Sequence, residues 1–173
     1  MTKIYSRYKF LGGFGLLVGL NLLIGFATFK LLTASQVSYD KVDLFNDNKA
    51  LFAYSFIVGL NLLFLILLGT QCKFIVADTN GITFINPIIP IIRKTIQWTD
   101  FDYYILVDED SRYDTHEAVW LIKDERITGR LSSFYYTNYA DLKKQIKTKG
   151  LGKKHYGPFG QLFALLGLKR IKN

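Results

Sequence analysis

Cysteine is almost absent from this chain. Cys72 is the only one in 173 residues, so no intrachain disulfide can form. Histidine is nearly as scarce. His116 and His155 lie far apart, and neither has a second ligand at metal-binding spacing. With no base close in sequence, Cys72 reads as a small half-buried residue rather than a nucleophile. A phosphate-cradling glycine loop is missing too, because the glycines from Gly13 to Gly19 fall inside an apolar run. Asp108, Asp110 and Asp114 resemble the start of a calcium loop, but Arg112 takes the next ligand position and no glycine follows. Without a nucleophile, base or metal set, the expectation is a chain that is not an enzyme and needs no cofactor.

Charge is absent in a patterned way. Phe10–Phe29 is a run of twenty uncharged residues, and Ala50–Gln71 one of twenty-two. At roughly 1.5 Å rise per residue, each is long enough for a hydrocarbon core about 30 Å thick. Neither run has a polar face, so both read as transmembrane helices, over about 10–33 and 50–71, joined by a loop over 34–49. The first run is too long for a cleaved leader, and Leu32-Thr33-Ala34 places Leu where a leader needs a small residue. An uncleaved hairpin over 1–72 is expected.

Both helices carry the hexapeptide VGLNLL, at Val18–Leu23 and Val58–Leu63. In an antiparallel hairpin Asn21 and Asn61 fall at similar depth. An amide facing lipid is costly, so the two side chains are expected to bond across the hairpin. Gly15 and Gly19 form a G-x-x-x-G pair facing away from Asn21, which offers a second contact surface to another protomer or protein.

Basic residues mark the ends. Lys3, Arg7 and Lys9 precede the first run. The connecting loop has Lys41 and Lys49 against Asp40, Asp43 and Asp47. Everything after Gln71 has sixteen Lys or Arg against eleven acids. The asymmetry predicts both termini on the cytoplasmic side. Anionic inner-leaflet lipid accounts for this charge more simply than nucleic acid, so no nucleic-acid partner is expected.

From Lys73 the period changes to two. KFIVAD, ITFIN, RKTIQW, FDYYILVDED, HEAVWLIKDE and RITGRLSS read as strands, with NPIIPII a bend between the second and third. YTNYADLKKQIKTKG then reads as an amphipathic helix, with Tyr139, Leu142 and Ile146 inward, Thr137 or Asn138 as N-cap and Gly150 as stop. The fold class expected is an α+β antiparallel roll over 73–150, capped by its helix. FIVADTNGITF, TIQWTDFDYY and SSFYYTNYADLKKQIKTKG, in that order, resemble the bacterial pleckstrin-homology-like (PH-like) domains of small membrane proteins. The resemblance implies a non-catalytic interaction or assembly role at the inner membrane of a bacterium, with a protein partner or a second copy. The alternative is an accessory subunit of a membrane transporter or enzyme. The resemblance transfers no site residues, since the turn Asp78-Thr79-Asn80-Gly81 lacks a basic pair.

The tail, 151–173, contains PFGQLFALLGL, too short to span a bilayer and too apolar to hang free. It either packs on the domain or lies on the inner leaflet. In the second reading Phe159, Leu162, Phe163 and Leu166 face the lipid, flanked by Lys147, Lys149, Lys153, Lys154, Lys169, Arg170 and Lys172.

The charge asymmetry generates a topology prediction. Reporters fused at Asn46 and Asn173 should be active on opposite sides of the membrane, with residue 173 inside. Activity of the residue-173 reporter only outside the cytoplasm would overturn the orientation.

Overall fold

The computed structural model describes residues 3–37, 48–110 and 114–171. Two helices, α1 (Gly13–Val37) and α2 (Asn48–Gln71), pack against each other as a hairpin. Within them, Gly13–Leu31 and Leu51–Gln71 are long and apolar enough to cross a membrane, and almost none of either is buried within the chain. α1 begins later than the run of apolar residues suggested, because residues 10–12 form a turn, and it extends to Val37. The expected connecting loop lies largely outside the described residues.

The hairpin is aligned by its asparagines, but not as expected. Asn61 Nδ2 donates to the backbone carbonyl of Asn21 at 3.2 Å. Asn21 Nδ2 instead donates to its own helix, at the Leu17 carbonyl, at 2.8 Å. A carbonyl one turn back is always within reach of an Asn on a helix, and it outcompetes the amide across the gap. The expected face does meet α2: a side chain added at Gly25 would approach the Asn61 amide. The G-x-x-x-G surface is halved. Gly15 is covered by the Phe10 carbonyl of the turn before α1, whereas Gly19 stands in open space.

Two sheets follow. The first comprises β1 (Ile4–Tyr5), β2 (Phe74–Ala77), β3 (Gly81–Ile85) and β4 (Arg93–Gln97), all antiparallel in chain order. β1 precedes the hairpin, so the first sheet joins segments from both sides of it. The second has β5 (Tyr103–Asp110), β6 (Thr115–Lys123), β7 (Arg126–Ser132) and β8 (Gly150–Lys154), in the order β7-β6-β5-β8. A two-residue turn, Asp124-Glu125, with both residues at positive φ, joins β6 to β7. Gly150 begins β8, which runs parallel to β5, and does not stop a long helix. The helix there, α3 (Tyr139–Lys144), is short. Tyr139 and Leu142 are buried as its period implied, and Ile146 packs on the same core.

The core between the sheets holds Ile75, Ile82, Phe84, Trp98, Leu121 and Leu131, closed by Leu142 of α3. Gly129 permits the close approach of the Phe84 ring, which a Cβ there would strike. The second sheet is apolar on its other face as well, through Tyr103, Ile105, Val107, Trp120 and Ile122. That face is covered by the tail. Ala164 of helix α4 (Pro158–Leu165) and Ile171 are each about 1% exposed. Tyr156 stacks on Trp120 at 5.3 Å, and Tyr103 Oη donates to the Ile171 carbonyl at 2.7 Å. Residues 151–171 are therefore a layer of the folded unit rather than a free tail.

The N-terminal segment is bonded residue by residue. Ser6 N donates to Ile75 O, and Ile75 N returns a bond to Ser6 Oγ, both at 2.8 Å. Asn138 does not cap α3 with its side chain. Its Oδ1 accepts from Arg7 N, and its Nδ2 donates to Tyr5 O, both at 2.8 Å. Asn138→Ala should cost about 1–2 kcal/mol by removing two side-chain bonds to backbone. Deleting residues through Arg7 should cost more, since it also exposes the edge of β2. Thermal unfolding in detergent checks both, and an unchanged midpoint for the deletion would refute the N-terminal strand.

Candidate functional site

The chain passes from hairpin to sheets through a buried junction at Gln71–Lys73. Cys72 is fully buried. Its carbonyl accepts from Tyr8 Oη at 2.9 Å, and the next carbonyl, that of Lys73, accepts from Tyr136 Oη. Tyr8 stacks on Phe14 of α1 at 4.0 Å between centroids. Tyr8, ahead of α1, and Tyr136 thus satisfy two consecutive carbonyls just beyond the end of α2, and Tyr8 ties the two ends of the hairpin together.

On the opposite side of the junction sits an ion pair. Arg130 Nε meets Glu109 Oε1 at 2.6 Å, and Ser132 Oγ donates to the other Glu109 oxygen at 2.6 Å. Arg130 Nη1 donates to Gln71 Oε1 at 2.7 Å, on the last residue of α2. The guanidinium also lies 5.1 Å from the Tyr135 ring centre. One arginine therefore joins β5, β7 and α2. With the pair largely buried, each partner depends on the other for solvation.

The electrostatics favour one fixed charge state. Burial pushes the Cys72 thiol up to about 12, partly offset by Arg130. Burial, then the neighbouring Cys72, pushes the Tyr8 hydroxyl up to about 12. Burial likewise holds Tyr136 well above the usual phenol. Burial disfavours the Arg130 charge, but Glu109 outweighs it and its affinity for the proton rises. At neutral pH the thiol and both phenols stay protonated and Arg130 stays charged.

The expected site residues are dispersed. Phe159, Leu162 and Phe163 on α4, and Leu166 directly after it, are all exposed, 47% or more. Leu165, beside them, lines a small cavity of about 90 Å3 with Thr70, Gln71 and Lys73, which places the end of α4 next to the end of α2. The basic residues do not form one ring around that face. Lys147 and Lys149 line a cleft with Thr79 and Asn80, at the end of β2 opposite α2. Lys153 pairs with Asp108 at 2.8 Å, Arg170 with Glu125 at 3.5 Å, and Lys169 lies over the Tyr156 ring. Lys154 is half-buried, and Lys172 lies outside the described residues. The cause is β8, which carries 150–154 along β5 instead of leaving them beside the helix.

His116 stacks on Phe134 at 4.8 Å, and His155 is exposed. Among the described residues no group of three His, Cys, Asp or Glu could hold a metal ion. Gln71, Glu109 and Arg130 were not anticipated from sequence. One signal existed: Glu109 stands in the same alternation phase as Tyr103, Ile105 and Val107, which predicts an inward carboxylate. No family model, curated protein or solved structure matches this chain.

Arg130→Met alone leaves Glu109 buried and unpaired, and should destabilise by about 3–5 kcal/mol. Arg130→Met with Glu109→Leu should recover most of that loss. Unfolding in detergent across the four variants reads the coupling, and additive losses would show that the pair does not act as a unit.

Proposed function

We propose that the chain is a non-catalytic interaction or assembly module of a bacterial inner membrane. Its hairpin crosses the bilayer with both termini inside, and its PH-like domain is held against the cytoplasmic surface. The observation that carries this reading is the junction. Tyr8, Tyr136 and Arg130 bond three consecutive residues at the end of α2, and so tie the end of the hairpin to both sheets. A rigid mount of this kind orients a surface, which is what a recruiting module needs.

The PH-like assignment is supported by an antiparallel first sheet, the antiparallel run β5-β6-β7 of the second, and a helix after them that closes their common core. β8 and the covering tail are additions to that plan. The exposed face of α4, beside the end of α2, is well placed to rest on the inner leaflet through Phe159, Leu162, Phe163 and Leu166. Gly19 and Gly59 both stand in open space on the hairpin and give a second helix a close approach. Each of these glycines is a contact point open to a second copy or another membrane protein.

A photoreactive residue at Gly19 or Gly59, in intact cells, should yield a discrete crosslinked adduct. One at Lys94, exposed on β4, reports on a partner of the sheets instead. No adduct from any of the three, together with a monomer in mild detergent, would refute an assembly role.

A further inference from the structure

The connection between β3 and β4, Asn86–Ile92, is the most apolar exposed loop of the sheets. Ile88, Ile89, Ile91 and Ile92 are 43%, 49%, 91% and 58% exposed. Four isoleucines in one short loop, unpaired with any core, are a cost in water. The loop is also internally bonded. Asn86 N donates to Ile92 O, and Ile92 N donates to Ile89 O, both at 2.9 Å. Asn86 Oδ1 accepts from Ile88 N at 2.8 Å and Ile89 N at 3.1 Å. Pro87 and Pro90 have no N–H to satisfy. Of its five N–H groups, therefore, all but that of Ile91 are bonded within the loop. Backbone donors that enter a low-dielectric layer must be satisfied internally, and the N–H groups of this loop nearly all are.

Its position decides the occupant. Asn86 and Ile88 lie against Gly69, in the last turn of α2, where a Cβ would come within 3.0 and 3.4 Å of their side chains. The register repeats this: Ile85 pairs with Phe74, at the start of β2 just past the helix. Arg93 and Lys94, both exposed, follow the loop directly. The apolar tip is thus continuous with the lipid-facing surface of α2 and is backed by two cations, the order in which acyl chains and anionic headgroups are met.

We propose that Asn86–Ile92 is an apolar wedge that inserts into the headgroup–acyl boundary of the same bilayer, beside the end of α2. It rests on the reading of the hairpin as membrane-spanning. Together with α4, which also lies beside the end of α2, it would fix the tilt of the sheets at a second point.

The test uses the full chain in nanodiscs of mixed zwitterionic and anionic lipid. Single variants Ile91→Cys, Leu62→Cys and Thr99→Cys carry an environment-sensitive fluorophore. Cys72 is fully buried and stays unlabelled in the folded chain. Leu62, mid-helix, reports on the hairpin, and Thr99, past the opposite end of β4, reports on water. The label at residue 91 should be blue-shifted, quenched about twofold by lipid spin-labelled near its headgroup, and shielded from aqueous iodide. If residue 62 meets lipid but 91 is quenched by iodide like 99, the wedge is wrong and the hairpin stands. If 91 is shielded from both quenchers, protein covers it and the wedge is again wrong. If residue 62 itself is open to iodide, the membrane reading fails with it.

Discussion

Ile4 and Tyr5 lie against Ala77 and Val76, and everything else in the structure depends on that short pairing. It joins chain that enters the hairpin to chain that leaves it. Two residues of ladder contribute little by themselves. The surrounding bonds, from Ser6 to Ile75 and from Asn138 to Arg7 and Tyr5, make the closure cooperative. With the base closed, Cys72 is sealed from solvent and Tyr8 and Tyr136 can reach consecutive carbonyls. Arg130 then adds a third tie, to the last side chain of α2.

A second constraint acts on the far sheet. Its central strand β6 has a stretch, Ala118–Ile122, buried at every residue. A strand buried on both faces needs two covers. The first sheet and α3 supply one, and α4 with the chain to Ile171 supplies the other. The amphipathic character of α4 follows. Ala164 turns inward onto the sheet, and the phenylalanines on its other side stay outside.

The long elements were legible in the sequence because each has its own period. The two uncharged runs became α1 and α2, and the alternating segments from Phe74 to Ser132 became strands. Leu142 was expected inward and is. What escaped detection has no local signature. β1 is two residues long, and nothing near Ile4 marks it as a strand. β8 contains two glycines and two lysines, and exists because β5 offers an open edge. The Asn61 bond goes to a main-chain carbonyl, which no residue pattern specifies. The ion pair at the junction was half visible: Glu109 is out of character for its phase, but its partner lies on another strand. AVWLI, uninterrupted by a polar residue, was the available sign that the tail would be needed as a cover.

The closure of β1 on β2 also orders events during synthesis. The first strand emerges from the ribosome before the hairpin, and its partner only after it. Until then Ile4 and Tyr5 have nothing to pair with. If the hairpin crosses a bilayer, a nascent chain in which only one of the two helices has crossed leaves the two strands on opposite sides, and the sheet cannot close. Insertion of both helices becomes a precondition for a folded domain, and a chain with one helix inserted is left with the edge of β2 open.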